Sequence, residues 1–192
     1  MKINSSSIIK SLIIITVLFF VFLFGVYFIK GLIHTKNGEA LSIKSNDSLV
    51  INLVNNLPLS DKLAISNDKS SVSDEIFSNV KFEIINKDSS DINYELYITK
   101  KDSEIEEISG SFIKIYLSKQ NGEEIKGFNK NRVPLYDDLH AISDMPGSRI
   151  LYRGTLKGNA SEKFDLKAWI SDNYSNNYEK EEFKFSIHVR VL

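Results

Sequence analysis

The chain contains no cysteine, and only three prolines, two methionines and one tryptophan in 192 residues. Without thiols there is no disulfide staple, no thiolate metal ligand and no cysteine nucleophile, so stability must come from packing. Exported chains can use disulfides but need not, so this absence leaves the compartment open. A surplus of charge of one sign is missing too, with 24 Lys plus Arg against 25 Asp plus Glu. The chain therefore lacks the basic footprint that phosphate backbones select, and nucleic acid is not an expected partner. No Gly-rich phosphate cradle, no H-E-x-x-H helix and no G-x-S-x-G elbow occurs, so no catalytic motif and no cofactor is expected.

What the chain does have is one long hydrophobic run. Ser11–Ile29, SLIIITVLFFVFLFGVYFI, carries no charge and is bracketed by Lys10 and Lys30. As a helix it would extend roughly 28 Å, close to the ~30 Å of a bilayer core. A cleaved signal peptide has a shorter apolar region with its small-residue site close behind. Here the nearest such pattern, Gly38-Glu39-Ala40, comes well after the run, so retention is expected and cleavage near Ala40 is the alternative. Lys2 and Lys10 nearly balance Lys30, Lys36 and Lys44, so the positive-inside rule does not orient the segment. Its position at the start of the chain suggests a signal-anchor. The resulting division is a short cytoplasmic tail over 1–10, a transmembrane segment over 11–30, a juxtamembrane stalk over 31–48 and an extracellular domain over 49–192. The lipid bilayer is then one partner, and the protein is a single-pass component of the cell membrane.

From Asn37 to Asn79 the composition is rich in Ser, Asn, Asp and Lys, with two short apolar runs, LSIK and LVINLV. LPLSDKLAIS, Leu57 to Ser66, reads as a short helix or a loop, and NDKSSVSD as an exposed connection. Beyond Asn79 the hydrophobic period becomes two. Val80, Phe82 and Ile84 share one face, as do Tyr94, Leu96 and Ile98, and Ile113, Ile115 and Leu117. RVPLY, RILYRGTL and EKFDLKAWI continue the series. In the terminal EFKFSIHVRVL, Phe183, Phe185, Ile187, Val189 and Val191 alternate with Lys184, Ser186, His188 and Arg190. Asn121-Gly122, between IYLSK and EEIKGF, predicts a tight hairpin turn. Strands with one apolar and one wet face cannot bury their apolar faces as one open sheet. The expected fold is all-β, a two-sheet antiparallel β-sandwich of jelly-roll or immunoglobulin-like type, preceded by the single N-terminal transmembrane helix.

Two groups of residues could carry function. Asp137, Asp138, His140 and Asp144 lie within YDDLHAISD, and carboxylates with an imidazole can hold a divalent ion. Their spacing matches neither the calcium loop nor the zinc helix, and a solvated loop is the simpler expectation. Tyr97, Tyr116 and Trp169 fall out of phase with the core residues of their own strands. Aromatic rings of this kind anchor partners, unless loops cover them as a minor second core. Asn46, Asn159 and Asn173 match the N-x-[ST] glycosylation pattern, which arises readily in an Asn- and Ser-rich chain.

From Asn79 to Leu192 the order of these elements resembles the TasA and camelysin group of exported proteins of Gram-positive bacteria. The matching residues are Asn86 at the end of one strand, Tyr94 and Tyr97 in the next, Gly154-Thr155-Leu156 as a G-T-L hairpin, and Leu166, Trp169, Ile170 and Asp172 around a late strand. The resemblance implies an exported jelly-roll-like sandwich of a kind that builds extracellular fibres, in part by lending a strand to a neighbour's sheet. No zinc motif is present for the metalloprotease activity associated with the camelysin side. The expected role is a non-enzymatic, membrane-anchored surface module with a structural, adhesive or assembly function, a component of a fibre or biofilm matrix, with a protein partner or self-association. Leu49–Val54 is the expected donor if a strand is exchanged. The alternatives are an accessory subunit of an envelope complex and a metal-dependent envelope hydrolase.

Overall fold

The computed structural model describes residues 40–45, 48–54, 56–66, 77–103, 105–121, 123–175 and 181–192. The Ser11–Ile29 run and the stalk up to residue 39 lie outside the described residues, as does Asn46. Among the described residues no helix is long and apolar enough to cross a membrane. Leu41–Leu192 forms one compact unit. Its elements are β1 (Leu41–Ser45), β2 (Val50–Val54), α1 (Asp61–Ile65), β3 (Ser78–Asn86), β4 (Ile92–Lys100), β5 (Glu106–Glu107), β6 (Ile113–Lys119), β7 (Ser148–Leu156), β8 (Ser161–Ile170) and β9 (Glu181–Val191).

These strands make two sheets packed as a sandwich. One has the order β1-β3-β8-β6 and the other β2-β9-β4-β7, with β5 joined in parallel to β9 and all other pairs antiparallel. The inward faces are those the two-residue period marks: Val80, Phe82 and Ile84, then Tyr94, Leu96 and Ile98, then Ile113, Ile115 and Leu117, and Phe183, Phe185 and Ile187 are all buried. Phe82 stacks on Phe164 at 5.5 Å, Phe164 meets Tyr152 at 5.7 Å, and Tyr152 meets Tyr94 at 5.9 Å, so a chain of rings runs from one sheet to the other. Each fully buried side chain of this size contributes roughly 1.5–3 kcal/mol.

Three local expectations are corrected. Leu41–Ser45, assigned to the stalk, is a strand paired with β3, because Leu41 and Ile43 pack against the core. The chain turns at Gln120–Asn121, where the Glu123 amide donates to Asn121 Oδ1 at 3.0 Å, but no hairpin follows. The residues after the turn bury Ile125 and Phe128 instead of returning as a strand, and β6 pairs with β8. The G-T-L stretch is likewise no hairpin, since the strands on either side of it, β7 and β8, belong to different sheets. At this crossing Gly158 approaches the β3–β4 turn so closely that an added Cβ would lie 2.0 Å from the Ser89 carbonyl oxygen.

The outward face of the four-stranded sheet is solvated along β1 and β3, where Lys44, Asn79 and Lys81 are exposed, but it is covered across β6 and the second half of β8. Leu59 N–H donates to the Ile170 carbonyl at 2.8 Å, and Lys167 Nζ reaches the Ala64 and Ile65 carbonyls at the end of α1 at 3.4 and 3.5 Å. Lys114 Nζ donates to the Val133 carbonyl at 3.0 Å and pairs with Asp61 at 3.4 Å. The segments tied down in this way bury Leu59, Ala64, Ile125, Phe128 and Val133 together with Tyr116 and Trp169. The covering has a cost. Asp165 Oδ1 and Trp169 Nε1 are buried without a hydrogen-bond partner among the described residues, and burial pushes the Asp165 carboxyl above its usual range against the pull of Lys167 and Lys81.

A folded-state pKa raised above the unfolded value means that the charged carboxylate opposes folding at neutral pH, and the penalty disappears as pH falls through the raised value. Asp165→Asn should therefore raise the thermal midpoint by a few degrees at pH 7 to 8. The gain should shrink to nothing as pH drops below about 4. Thermal scans of both proteins across that range test this, and a lower midpoint for the variant at pH 8 would contradict it.

Candidate functional site

The sequence-marked acidic loop does not gather its four residues. Tyr136–Asp138 is a short 3-10 turn in which Asp138 Oδ2 accepts the Leu135 amide at 3.3 Å, while Asp137 Oδ1 faces Arg149 at 3.7 Å. His140 and Asp144 are exposed, and the His140 carbonyl accepts the Ile150 amide at 2.9 Å. Among the described residues no three His, Asp or Glu side chains come together as a metal site. The loop's structural task is to run along β7 and cover that edge, through the Ala141–Arg149 bridge.

The three marked aromatics separate. Trp169 is 0% exposed and Tyr116 4%, both inside the second core beneath the covering segments, so neither ring is on the surface as a partner contact. Tyr97 alone is half-exposed, on the outer face of the five-stranded sheet. There it stacks on His188 with ring centres 5.2 Å apart, and the Arg190 guanidinium lies 5.7 Å over it. His188 Nε2 and Ser186 Oγ are 2.6 Å apart, and burial, then the nearby Lys101, holds the imidazole below its usual pKa.

Two features of this sheet stand out. The first is its β2 edge, which among the described residues pairs only with β9. Ile51 and Leu53 point into the core, and Val50 and Val54 are 38% and 39% exposed. The Ile187 amide donates to the Leu49 carbonyl at 2.9 Å. This bond sets the antiparallel register so that the main-chain groups of Ile51 and Leu53 face β9 and those of Val50, Asn52 and Val54 point away from it.

The second feature is a row of charges across β9, β4 and β7, in which Glu95 lies opposite Arg190 on one side and Arg153 on the other. The Glu95 side chain is 0% exposed despite facing outward. Its Oε1 accepts Arg190 Nε at 2.9 Å and lies 2.7 Å from Arg190 Nη2; its Oε2 accepts Arg153 Nε at 2.6 Å. A bulge between β4 and β7 makes the row possible. Leu96 faces Tyr152 and Tyr97 faces Ile150, so Leu151 is the extra residue. Arg149 consequently falls on the inward side, 5.3 Å over the Tyr136 ring, while Arg153 faces out beside Glu95. In the sequence the only sign of this row is an acid on the wet face of a strand.

Because Glu95 is the buried partner, removing a cation that satisfies it should cost more than the exposure of that cation suggests. Arg190 makes two contacts with it and is 34% exposed, whereas Arg153 makes one and is 58% exposed. Arg190→Ala is expected to destabilise by about 2–3 kcal/mol and Arg153→Ala by about 1 kcal/mol or less. Urea unfolding of both variants checks the order, and the reverse order would refute the arrangement.

Compared with family models, with curated proteins and with solved structures, the chain matches none of them.

Proposed function

We propose that the chain is a membrane-anchored cell-surface β-sandwich with a structural or assembly role. The single observation that supports this most directly is the open β2 edge, with the outward-facing amides and carbonyls of Asn52 and Val54 and the exposed Val50 and Val54 side chains, while the Val50 amide donates locally to Ser48 Oγ at 3.2 Å. Such an edge is a template for an extended segment of another chain, and proteins that do not use one usually cover it or charge it. The anchor rests on the uncharged Ser11–Ile29 run. Among the described residues consecutive long strands never share a sheet, which favours the jelly-roll-like form of the sandwich over the immunoglobulin-like form, where several neighbouring strands stay within one sheet. A fibre or matrix component working through β2 is the version of the role that the resemblance to the TasA and camelysin group implies.

The Leu41–Leu192 unit contains every described residue of the core and is the material for the test. Since Ile51 and Leu53 are core residues, the edge is best probed by substitution instead of deletion. Sedimentation over a concentration series, with electron microscopy of the concentrated sample, should show oligomers or fibres. The pair Val50→Lys and Val54→Lys, or Asn52→Pro alone, should abolish them while leaving the thermal midpoint nearly unchanged, because both act on the free side of the strand. A unit that stays monomeric at every concentration would remove the assembly role.

Location is tested separately. Protease added to intact cells should release fragments of the sandwich and leave a cytosolic control protein whole. A sandwich that survives intact until the cells are lysed would reverse the proposed orientation.

A further inference from the structure

The row across β9, β4 and β7 is electrically unfinished. Two guanidinium groups meet one carboxylate, which leaves a surplus of one positive charge. Arg153 spends only Nε on Glu95, and its Nη1 and Nη2 have no partner among the described residues. Arg190 uses Nε and Nη2 and turns Nη1 to Met145 Sδ at 3.4 Å, where a thioether is a weak acceptor. Glu95, fully buried, holds Arg153 from below by its inner nitrogen. That bond restrains the guanidinium at Nε and leaves Nη1 and Nη2 as two parallel N–H donors for an oxyanion.

The surroundings define the kind of anion. On one side the neighbouring row is Asn93 and Thr155, hydrogen-bonded to each other at 2.7 Å. On the other it is His188, Tyr97 and Ile150, where the rings are stacked and burial, then Lys101, holds the imidazole below its usual pKa. Lys101, near His188, is the next cation on that side. A polyanion is held by cations repeated along its path, and neither adjacent row supplies one. A single oxyanion beside an aromatic and aliphatic surface is the chemistry of an acidic side chain or terminus on a folded or extended partner.

We propose that the Arg190–Glu95–Arg153 row is a seat for one carboxylate of a partner polypeptide, received bidentately by the outward fork of Arg153 beside Tyr97 and Ile150. The seat lies on a sheet face away from the β2 edge and goes beyond the assembly role, on which it does not depend.

The test uses the full chain in neutral detergent micelles, with the side-chain Nε–H signals of Arg153 and Arg190 followed by nuclear magnetic resonance. The probes are the peptide acetyl-Ser-Glu-Ser-amide, the same peptide with Gln for Glu, and long-chain polyphosphate. The Glu peptide should shift the Arg153 signal saturably and the Gln peptide should not. Arg153→Gln should weaken Glu-peptide binding by about tenfold or more. Its thermal midpoint should stay near that of the parent, as the small stability cost of losing Arg153 implies. Equal responses to the two peptides, or Glu-peptide binding that survives Arg153→Gln, would overturn the seat. Polyphosphate binding about tenfold tighter per oxyanion than the Glu peptide would overturn it in favour of a polyanion track.

Discussion

The sandwich depends on one constraint: every long strand must bury one face against the sheet to which its neighbours in sequence belong, while pairing with strands distant in sequence. β1, β3, β6 and β8 form one layer and β2, β4, β7 and β9 the other, so each connection carries the chain across the core. No pair of consecutive strands can close as a local hairpin, and the hydrogen-bond ladders all join segments distant in sequence. Such a body gains little from local structure until both layers are present. Its folding is therefore expected to be slow and cooperative. The alternating apolar faces are the device that makes the two layers find each other, and without cysteine nothing covalent substitutes for them.

Buried polar groups then fix what hydrophobic burial leaves undefined. At one end of the sandwich Asn86 is 1% exposed, and its side chain donates to the Ser90, Leu156 and Lys157 carbonyls while accepting the Asp88 amide. One amide side chain thus satisfies both the β3–β4 turn and the β7–β8 crossing, locking the two layers at a place where Gly158 leaves no room for slippage. Glu95 does the equivalent work across the five-stranded sheet, where its two arginines tie β7 and β9 to β4. A register slip of one residue would strand a desolvated carboxylate on the wrong face, which is far costlier than misplacing a valine.

What could be read from the sequence follows the same division. The in-phase residues of β3, β4, β6 and β9 lie in the core because a period of two is a local property that survives whatever order the strands adopt. Val189 and Val191 alternate as well, but the first is half-buried and the second, at the end of β9, is 46% exposed although it still pairs with Tyr94. The hairpin at Asn121-Gly122 and the fate of Trp169 were not local questions. A turn-forming dipeptide says where a chain bends, not which strand receives it, and the covering of Trp169 depends on α1 and on residues 125–133, brought in from two remote stretches. The charge row was the least legible. Arg153 and Arg190 are 58 and 95 residues from Glu95, and only the strand order makes them neighbours.

The edges of the two sheets are treated unequally, and that asymmetry is itself informative. On one side of the sandwich β6 receives the Val133–Leu135 stretch, through the Lys114–Leu135 bridge and the bond from the Ile115 amide to the Pro134 carbonyl. Over its first residues β7 is shielded in the same way by residues 140–142. These coverings consume much of the chain between β6 and β7 and serve no strand of their own. On the opposite side β2 gets neither a covering segment among the described residues nor a charged side chain on its outward positions, which are Val50, Asn52 and Val54. A chain that lays residues 133–135 and 140–142 along the edges of one side and leaves uncharged valines on the other is not simply poor at protecting edges, since uncovered strands of this type invite pairing and carry an aggregation cost. The open side is the one on which the proposed assembly would add a strand.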